Sequence, residues 1–154
     1  MDLGGDLFDA VTSTADGLPA AGPGTPLAEL EAALAECGQC LPFEPPHYAG
    51  GTTVGGMAAA GLSGPARAAV GSVRDYVLGA TLLNGRGEVL RFGGTVMKNV
   101  AGYDVSRLLV GSFGMFGVIC ELSLKVLPMV PARATLRFAV DQGEALAMLN
   151  GWRA

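Results

Sequence analysis

The feature that most constrains the fold is a run of small residues at positions 50–64, which reads GGTTVGGMAAAGLSG. Only Val54, Met57 and Leu62 carry larger side chains there, so the backbone is almost bare and another group can approach it closely. The run predicts a loop followed by a short helix over residues 57–61. Unpaired amides at a helix start would suit an anionic ligand, but a tight turn beside a small helix explains the run alone equally well.

Length and composition indicate one globular domain. The chain has 154 residues, of which 50% are hydrophobic and 16% charged, so it can bury a proper core. The 24 glycines are spread along the chain, often as doublets, and indicate turns and close approaches. A formal net charge of −4 with scattered basic residues disfavours a nucleic-acid partner and a polybasic membrane patch.

Membrane and export signals are not evident in the sequence. No apolar run is long enough to span a bilayer, and the first residues, MDLGGD, lack a basic region followed by an apolar segment. These features predict no transmembrane segment and a cytoplasmic location. Peripheral association with the inner face of the cell membrane is left open.

Three cysteines and one histidine are the candidates for a metal or redox site. Cys37 and Cys40 have the C-x-x-C spacing of zinc and redox sites, but Cys120 and His47 are the only further candidate ligands of these two types. We therefore predict no metal site and interpret Cys37 and Cys40 as small residues at a helix end. His47, which follows two prolines, is interpreted as a structural or surface residue rather than a catalytic one.

Hydrophobic periodicity in the first part of the chain predicts helices and antiparallel strands, and hence an α+β fold. Residues 1–22 show no period and are interpreted as a poorly specified leader. A helix is predicted from Thr25, its cap, to Gly38, its stop. Residues 76–84 and 88–92 predict the two strands of a β-hairpin.

The second part predicts further helices and strands. Asp104 is expected to cap a helix over residues 105–110. Residues 118–126 and 133–140 both alternate, which predicts strands, with the even-numbered positions of each on one apolar face. Asp141 is expected to cap a following helix. The apolar faces of these last two elements would lack packing partners, so we expect the chain to be marginally stable alone and to associate.

Three blocks of the sequence resemble a known cofactor-binding domain, whereas P-loop, Rossmann and nucleophile-elbow motifs are absent. The blocks are residues 50–64, residues 71–79 (GSVRDYVLG) and residues 98–119, which contain KNVAGYD and GSFGMFGVI. In this order they resemble the FAD-binding domain of the vanillyl-alcohol oxidase type, also called the PCMH fold. Their order and spacing are far more specific than any one block.

Within this family, the chain is similar to the FAD-binding subunits of glycolate oxidases. The similarity includes TPLAEL at 25–30, PFEPPH at 42–47 and GLSGP at 61–65. It implies a partial PCMH-type domain over residues 23–130, mainly the larger lobe, with a mixed or antiparallel sheet and flanking helices. Residues 131–154 would begin a truncated C-terminal substrate or cap domain.

The resemblance implies FAD as the cofactor and assigns parts of it to parts of the chain. Residues 50–56 would line the pyrophosphate, residues 60–64 the flavin side, and residues 118–119 the adenine end. The residues so predicted to bind FAD are Gly50, Gly51, Thr52, Thr53, Gly55, Gly56, Ala60, Ser63, Gly64, Val118 and Ile119.

By resemblance, the intact family oxidises a small 2-hydroxy acid, glycolate to glyoxylate, by hydride transfer to flavin. The implied partners are a second FAD subunit, an iron–sulfur subunit and the 2-hydroxy acid. Two alternatives stay open: another substrate such as D-lactate, and a non-catalytic remnant or scaffold subunit that binds no flavin. No catalytic residue is predicted, and Arg74, Asp75 and Lys98 are interpreted as structural or solvated charges.

Overall fold

The computed structural model describes residues 11–13, 19–48, 51–94 and 103–152. Helices and antiparallel strands alternate in it, which confirms the predicted α+β class. The elements in chain order are β1 (Val11–Ser13), β2 (Pro19–Ala21), α1 (Leu27–Glu36), β3 (Gln39–Cys40), α2 (Val54–Ala60), α3 (Arg67–Val70), a 3₁₀ turn (Val73–Asp75), β4 (Val77–Leu83), β5 (Val89–Gly93), α4 (Val105–Leu108), β6 (Val118–Leu124), β7 (Leu127–Pro128) and α5 (Gln142–Trp152).

A five-stranded antiparallel sheet with the order β1-β2-β6-β4-β5 forms the centre of the domain. Strands β3 and β7 pair separately. The predicted hairpin is confirmed as β4–β5, and its turn is closed by the Asn84 side chain, whose Oδ1 accepts hydrogen bonds from the amides of Arg86 and Glu88. The core lies between this sheet and helices α1 and α2.

The leader predicted over residues 1–22 contains two strands in its described part. Strands β1 and β2 pair with each other, and β2 then pairs with β6 at the edge of the sheet. Sequence periodicity missed them because a three-residue strand is too short to show a period, and its pairing is decided by distant residues. The central sheet therefore includes two strands that precede residue 23.

Helix α1 confirms the predicted helix but begins differently. Pro26 occupies the cap position, no side chain caps the helix, and the amide of Leu27 donates to the carbonyl of Thr52 at 2.8 Å. Thr25 is therefore not the helix cap that its residue type suggested. The apolar face of helix α1 packs in the core, where Leu27, Leu30 and Leu34 are buried.

Strand β6 shows why simple alternation gave the wrong inner face for its first residues, 118–120, but the right one for Leu122 and Leu124. Thr81 pairs with Glu121, whereas the next residue of β4, Leu82, pairs with Ile119, so Cys120 is an extra residue in β6. Such a β-bulge shifts the alternation by one position. Ile119 is consequently buried with Leu122 and Leu124, and Val118, predicted to face the core, is 54% exposed.

The strand predicted over residues 133–140 is not formed. These residues belong to no helix or strand in the structure and all of them are exposed. An alternating pattern makes a strand only when a neighbouring backbone pairs with it, and no described strand does so here. The following helix is confirmed as α5, whose first turn is capped by Asp141 through the amide of Glu144 at 2.9 Å.

We predict that Gly64→Ala destabilises the fold by about 2 kcal/mol, because an added Cβ would collide with the backbone carbonyl of Glu44. Gly85→Ala is the matched control, since nothing lies within 4 Å of a Cβ at that position. Chemical denaturation measures both. Equal midpoints for Gly64→Ala and the wild type would contradict the close packing described here.

We also predict a pH-dependent contribution from Asp75. The amide of Ser72 donates to its carboxylate at 2.8 Å and lowers the pKa of Asp75 below its usual range. A depressed carboxylate pKa stabilises the fold above the ordinary value near 3.8 and loses that effect as the pH falls through the lowered pKa. Asp75→Ala should therefore cost about 1 kcal/mol or less near neutral pH. Thermal melts should show the gap to the wild type closing in acid; a constant gap would contradict this.

Candidate functional site

Helix α2 lies at the centre of the candidate site. It begins at Val54, three residues before Met57, where the sequence predicted its start. Thr53 caps it in an extended conformation, with its Oγ1 accepting a hydrogen bond from the amide of Gly56 at 3.1 Å. The earlier start is possible because Gly55 and Gly56 adopt helical geometry here rather than forming a loop. The glycine doublet is thus part of a helix.

The amides at the start of α2 already have partners inside the chain. The amide of Val54 donates to the carbonyl of Thr25 at 3.0 Å, and that of Gly55 to the carbonyl of Pro23 at 2.8 Å. The expectation of unpaired amides at this helix start is therefore wrong for Val54, Gly55 and Gly56. Gly55 also serves close packing, because an added Cβ would lie 2.5 Å from the Cβ of Pro23.

The second glycine series, residues 111–117, packs against the other end of α2. The helix ends at Gly61, which has a left-handed backbone with φ of 67°. The amides of Gly111 and Phe113 then donate to the carbonyls of Ala58 and Ala59 at 3.0 and 2.9 Å. The bond from Phe113 gives a partner to the carbonyl of Ala59 in the last turn of the helix, and the bond from Gly111 is a second one for Ala58, which also accepts from the amide of Gly61. They also hold the loop 111–117 in place beside the first residues of β6.

A cavity of about 510 Å³ lies between these segments, and we call it the glycine cavity. Its walls are Pro23, Gly24, Gly55, Gly56, Ala59, Gly114, Gly117, Val118 and Ile119. Four of these, Gly55, Gly56, Val118 and Ile119, were predicted from two separate parts of the sequence to bind one ligand. The structure brings them together.

The chemistry of the glycine cavity favours a planar apolar group. None of the wall residues in the described part of the chain is ionisable, and the cavity volume falls within the range of about 300–1,000 Å³ that is typical of small-molecule sites. Gly56 leaves space for an occupant, since an added Cβ would meet only the Thr53 hydroxyl, at 3.1 Å. An uncharged planar ring fits these walls better than a charged phosphate does.

Three of the other predicted binding residues, Thr52, Ser63 and Gly64, make structural contacts. The Thr52 hydroxyl accepts from the amide of Tyr48 at 3.1 Å, and the Ser63 hydroxyl accepts from the amide of Val73 at 2.9 Å. Gly64 packs against Glu44 as described above. Gly51 is exposed and left-handed, and neither it nor Ala60 is a wall residue of the glycine cavity.

Some residues escape a structural test or were missed by the sequence reading. Gly50 and Lys98 lie outside the described residues. The wall residues that sequence reasoning did not assign to the ligand are Pro23, Gly24, Ala59, Gly114 and Gly117. The second glycine series was the signal that could have identified Gly114 and Gly117, since bare backbone near one ligand-binding loop suggests a second contact.

His47 and the cysteines lie away from the glycine cavity. His47 Nε2 contacts Glu31 Oε2 at 2.7 Å, which ties the proline-rich connection to α1 and agrees with a structural role at the surface. Cys37, Cys40 and Cys120 are free thiols. Within the described residues, no group of three or more His, Cys, Asp or Glu is arranged to hold a metal ion.

A second, polar cavity of about 250 Å³ lies over β4, β5 and β6. The Thr81 hydroxyl donates to Glu121 at 3.0 Å there, and Arg91 and Ser123 complete its polar lining. Of the three motif blocks, only the block at 71–79 reaches this cavity, through its last residue, Gly79. Among the described helices, none has the length and apolar character needed to cross a bilayer.

Comparison with known proteins places the site in context. A family model described as FAD binding domain matches residues 8–93, which is more than half of the chain. In fold, the chain is similar to alkyldihydroxyacetonephosphate synthase, with a TM-score of 0.65 and 24% identity over 81% of this chain and 22% of that one.

Relatives in sequence are longer proteins. The chain is 55% identical to glycolate oxidase subunit GlcE of Escherichia coli over 84% of its own length and 37% of that subunit. It is 35% identical to glycolate oxidase subunit GlcD of Bacillus subtilis (62% and 20%), and 36% identical to the mitochondrial cytochrome D-lactate dehydrogenase of Arabidopsis thaliana (68% and 18%). The chain thus spans well under half of each relative. The predicted cofactor class is confirmed by the family match, and the chain belongs to the FAD-binding domain family.

Proposed function

We propose that this chain holds FAD for a subunit of a glycolate-oxidising flavoprotein, and that the glycine cavity is part of the FAD site. One observation carries the proposal: the cavity joins Gly55 and Gly56 of the first motif block to Val118 and Ile119 of the last. The 55% identity to glycolate oxidase subunit GlcE supports glycolate as the substrate of the whole protein.

The described residues of this chain would bind and shield the cofactor. Bound FAD supplies the acceptor for a hydride from the hydroxyl-bearing carbon of a 2-hydroxy acid. Gly56 leaves room for one ring of FAD, and Val118 and Ile119 provide apolar walls that exclude water. Since none of the described residues that line the cavity is ionisable, we assign no proton transfer to these residues. The binding of the substrate carboxylate belongs elsewhere in the assembly.

There are two alternative functions, and a specific observation supports the first of them. The 36% identity to a D-lactate dehydrogenase favours D-lactate as an alternative 2-hydroxy acid. A non-catalytic scaffold subunit that binds no flavin is the alternative outside enzymes. In the proposed complex, the partners are a second FAD subunit and an iron–sulfur subunit, at a cytoplasmic location that includes the inner face of the membrane.

The limits of the domains can be proposed from the resemblance and from exposure. We propose that the FAD-binding domain extends to about residue 130, and that residues 131–154 begin a substrate-covering or cap domain. In support, all residues from 132 to 144 are exposed, and α5 has no fully buried residue.

We predict that Gly56→Leu abolishes FAD binding while the chain stays folded. Crowding the Thr53 hydroxyl weakens a helix cap by about 1 kcal/mol, but replacing a helical glycine by leucine returns nearly as much. The new side chain would occupy the glycine cavity. Quenching of flavin fluorescence on titration into the protein measures binding, and circular dichroism measures folding.

Gly151→Leu is the matched control, because Gly151 is also helical and nothing lies within 4 Å of a Cβ there. It should bind FAD as the wild type does. Undiminished affinity in folded Gly56→Leu would remove the cavity from the FAD site. A wild-type chain that binds no FAD would favour the scaffold reading over the enzyme.

A further inference from the structure

The polar cavity over β4, β5 and β6 lies apart from the glycine cavity. Thr81 stands between Ala80 and Leu82, which are both buried in the core. Because neighbouring side chains of a strand point to opposite faces, the Thr81 side chain lies on the face of the sheet that is turned away from the core. The glycine cavity is lined by α2, on the core side, and the two cavities share no wall residue.

The strand register places opposite charges on two sides of the polar cavity. Thr81 of β4 pairs with Arg91 of β5 on one side and with Glu121 of β6 on the other. One strand thus separates Arg91 from Glu121, so their Cα atoms lie about 10 Å apart, which is twice the usual strand spacing. Both charged residues are exposed, and Thr81 is buried between them. The cavity therefore has a cationic side and an anionic side.

The next row of paired residues gives the cavity its depth. In that row Gly79 pairs with Gly93 and with Ser123, so only Ser123 contributes a side chain. An added Cβ at Gly79 would lie 3.0 Å from the backbone of Gly94, and one at Gly93 would collide with the carbonyl of Leu78. The close approach of these backbones keeps the row free of larger side chains and leaves a hollow of about 250 Å³.

The two charged side chains do not neutralise each other. No ion pair between described residues includes Arg91 or Glu121. Glu121 Oε2 accepts a hydrogen bond from the Thr81 hydroxyl at 3.0 Å, which directs the carboxylate towards the middle strand. A cavity with opposite charges on two sides and no ion pair across it suits a ligand that carries both charges, because each end of the ligand then gains a charge-assisted hydrogen bond.

We propose that the polar cavity binds a small zwitterion of the 2-amino-acid class, with its carboxylate on Arg91 and its ammonium group on Glu121. The planar guanidinium matches a carboxylate through two parallel hydrogen bonds. A simple carboxylate would leave the charge of Glu121 without a partner, and a simple cation would leave that of Arg91. The volume limits the ligand to a small amino acid. This site is independent of the proposed function, because it requires no FAD.

The test is an NMR titration of the full chain, with the backbone amides of Thr81, Gly93 and Ser123 as reporters. The probes are glycine, which carries both charged groups, acetate, which carries only the carboxylate, and glycolate, which has a hydroxyl in place of the ammonium group. We expect glycine to shift these amides and to bind about tenfold more tightly than acetate or glycolate. No shifts with glycine, or an equal or higher affinity for acetate or glycolate, would overturn the proposal.

Two variants separate the two ends of the ligand. Arg91→Gln should weaken the binding of glycine and acetate alike, about tenfold for glycine. Glu121→Gln should weaken glycine to a similar extent but not acetate, and a glutamine there can still accept from the Thr81 hydroxyl. A merely structural role of Glu121 would not separate these two probes.

Arg86→Gln is the matched control, since Arg86 is an exposed arginine in the turn of the same hairpin and does not line the cavity. It should bind glycine as the wild type does. Wild-type affinity for glycine in both cavity variants would overturn the proposal. FAD titrations of Arg91→Gln should match those of the wild type, so a failure of this proposal is distinguishable from a failure of the proposed FAD site.

Discussion

The site depends on a backbone clasp between the starts of α1 and α2. The amide of Leu27 donates to the carbonyl of Thr52, and the amide of Val54 donates to the carbonyl of Thr25, as in a short antiparallel bridge. A third bond joins Gly55 to Pro23 at 2.8 Å. The two segments of the chain approach so closely that position 55 has no room for a side chain. Packing alone therefore requires glycine there, whether or not a ligand binds.

The clasp determines where α2 lies, since a seven-residue helix has little stability of its own. The loop 111–117 fixes its other end through Ala58 and Ala59. With both ends held, the helix presents Gly56 and Ala59 to the start of β6, and the space left between them is the glycine cavity. The lack of side chains in the run 50–64 thus has two effects: it allows close packing at Gly55 and leaves open space at Gly56.

The sequence was sufficient for elements whose signals are local. The β4–β5 hairpin and helix α1 were predicted nearly to their ends, and Asp141 was predicted correctly as the cap of α5. Turn residues, helical periodicity and capping residues all act over a few positions. The motif blocks were sufficient for the family. The features that could not be predicted depend on partners far along the chain: the pairing of β1 and β2, and the bulge at Cys120.

The same dependence on distant partners explains why only some of the predicted binding residues line the cavity. Five of the eleven predicted binding residues line the cavity or cap α2, whereas Ser63 and Gly64 make structural contacts with Val73 and Glu44. No local pattern reveals that the amide of Gly55 is already bonded to Pro23, so the amides that looked available for a phosphate are not. Glycine motifs identify where backbones come close, and only the fold shows what they approach.

The most direct test of the account is an NMR map of backbone amides during titration of the chain with FAD. If the glycine cavity is part of the FAD site, the largest shift changes fall on its wall amides, such as Gly24, Gly56, Gly117 and Ile119. Changes confined to the polar cavity around Thr81, Arg91 and Ser123, or no changes at saturating FAD, would contradict it.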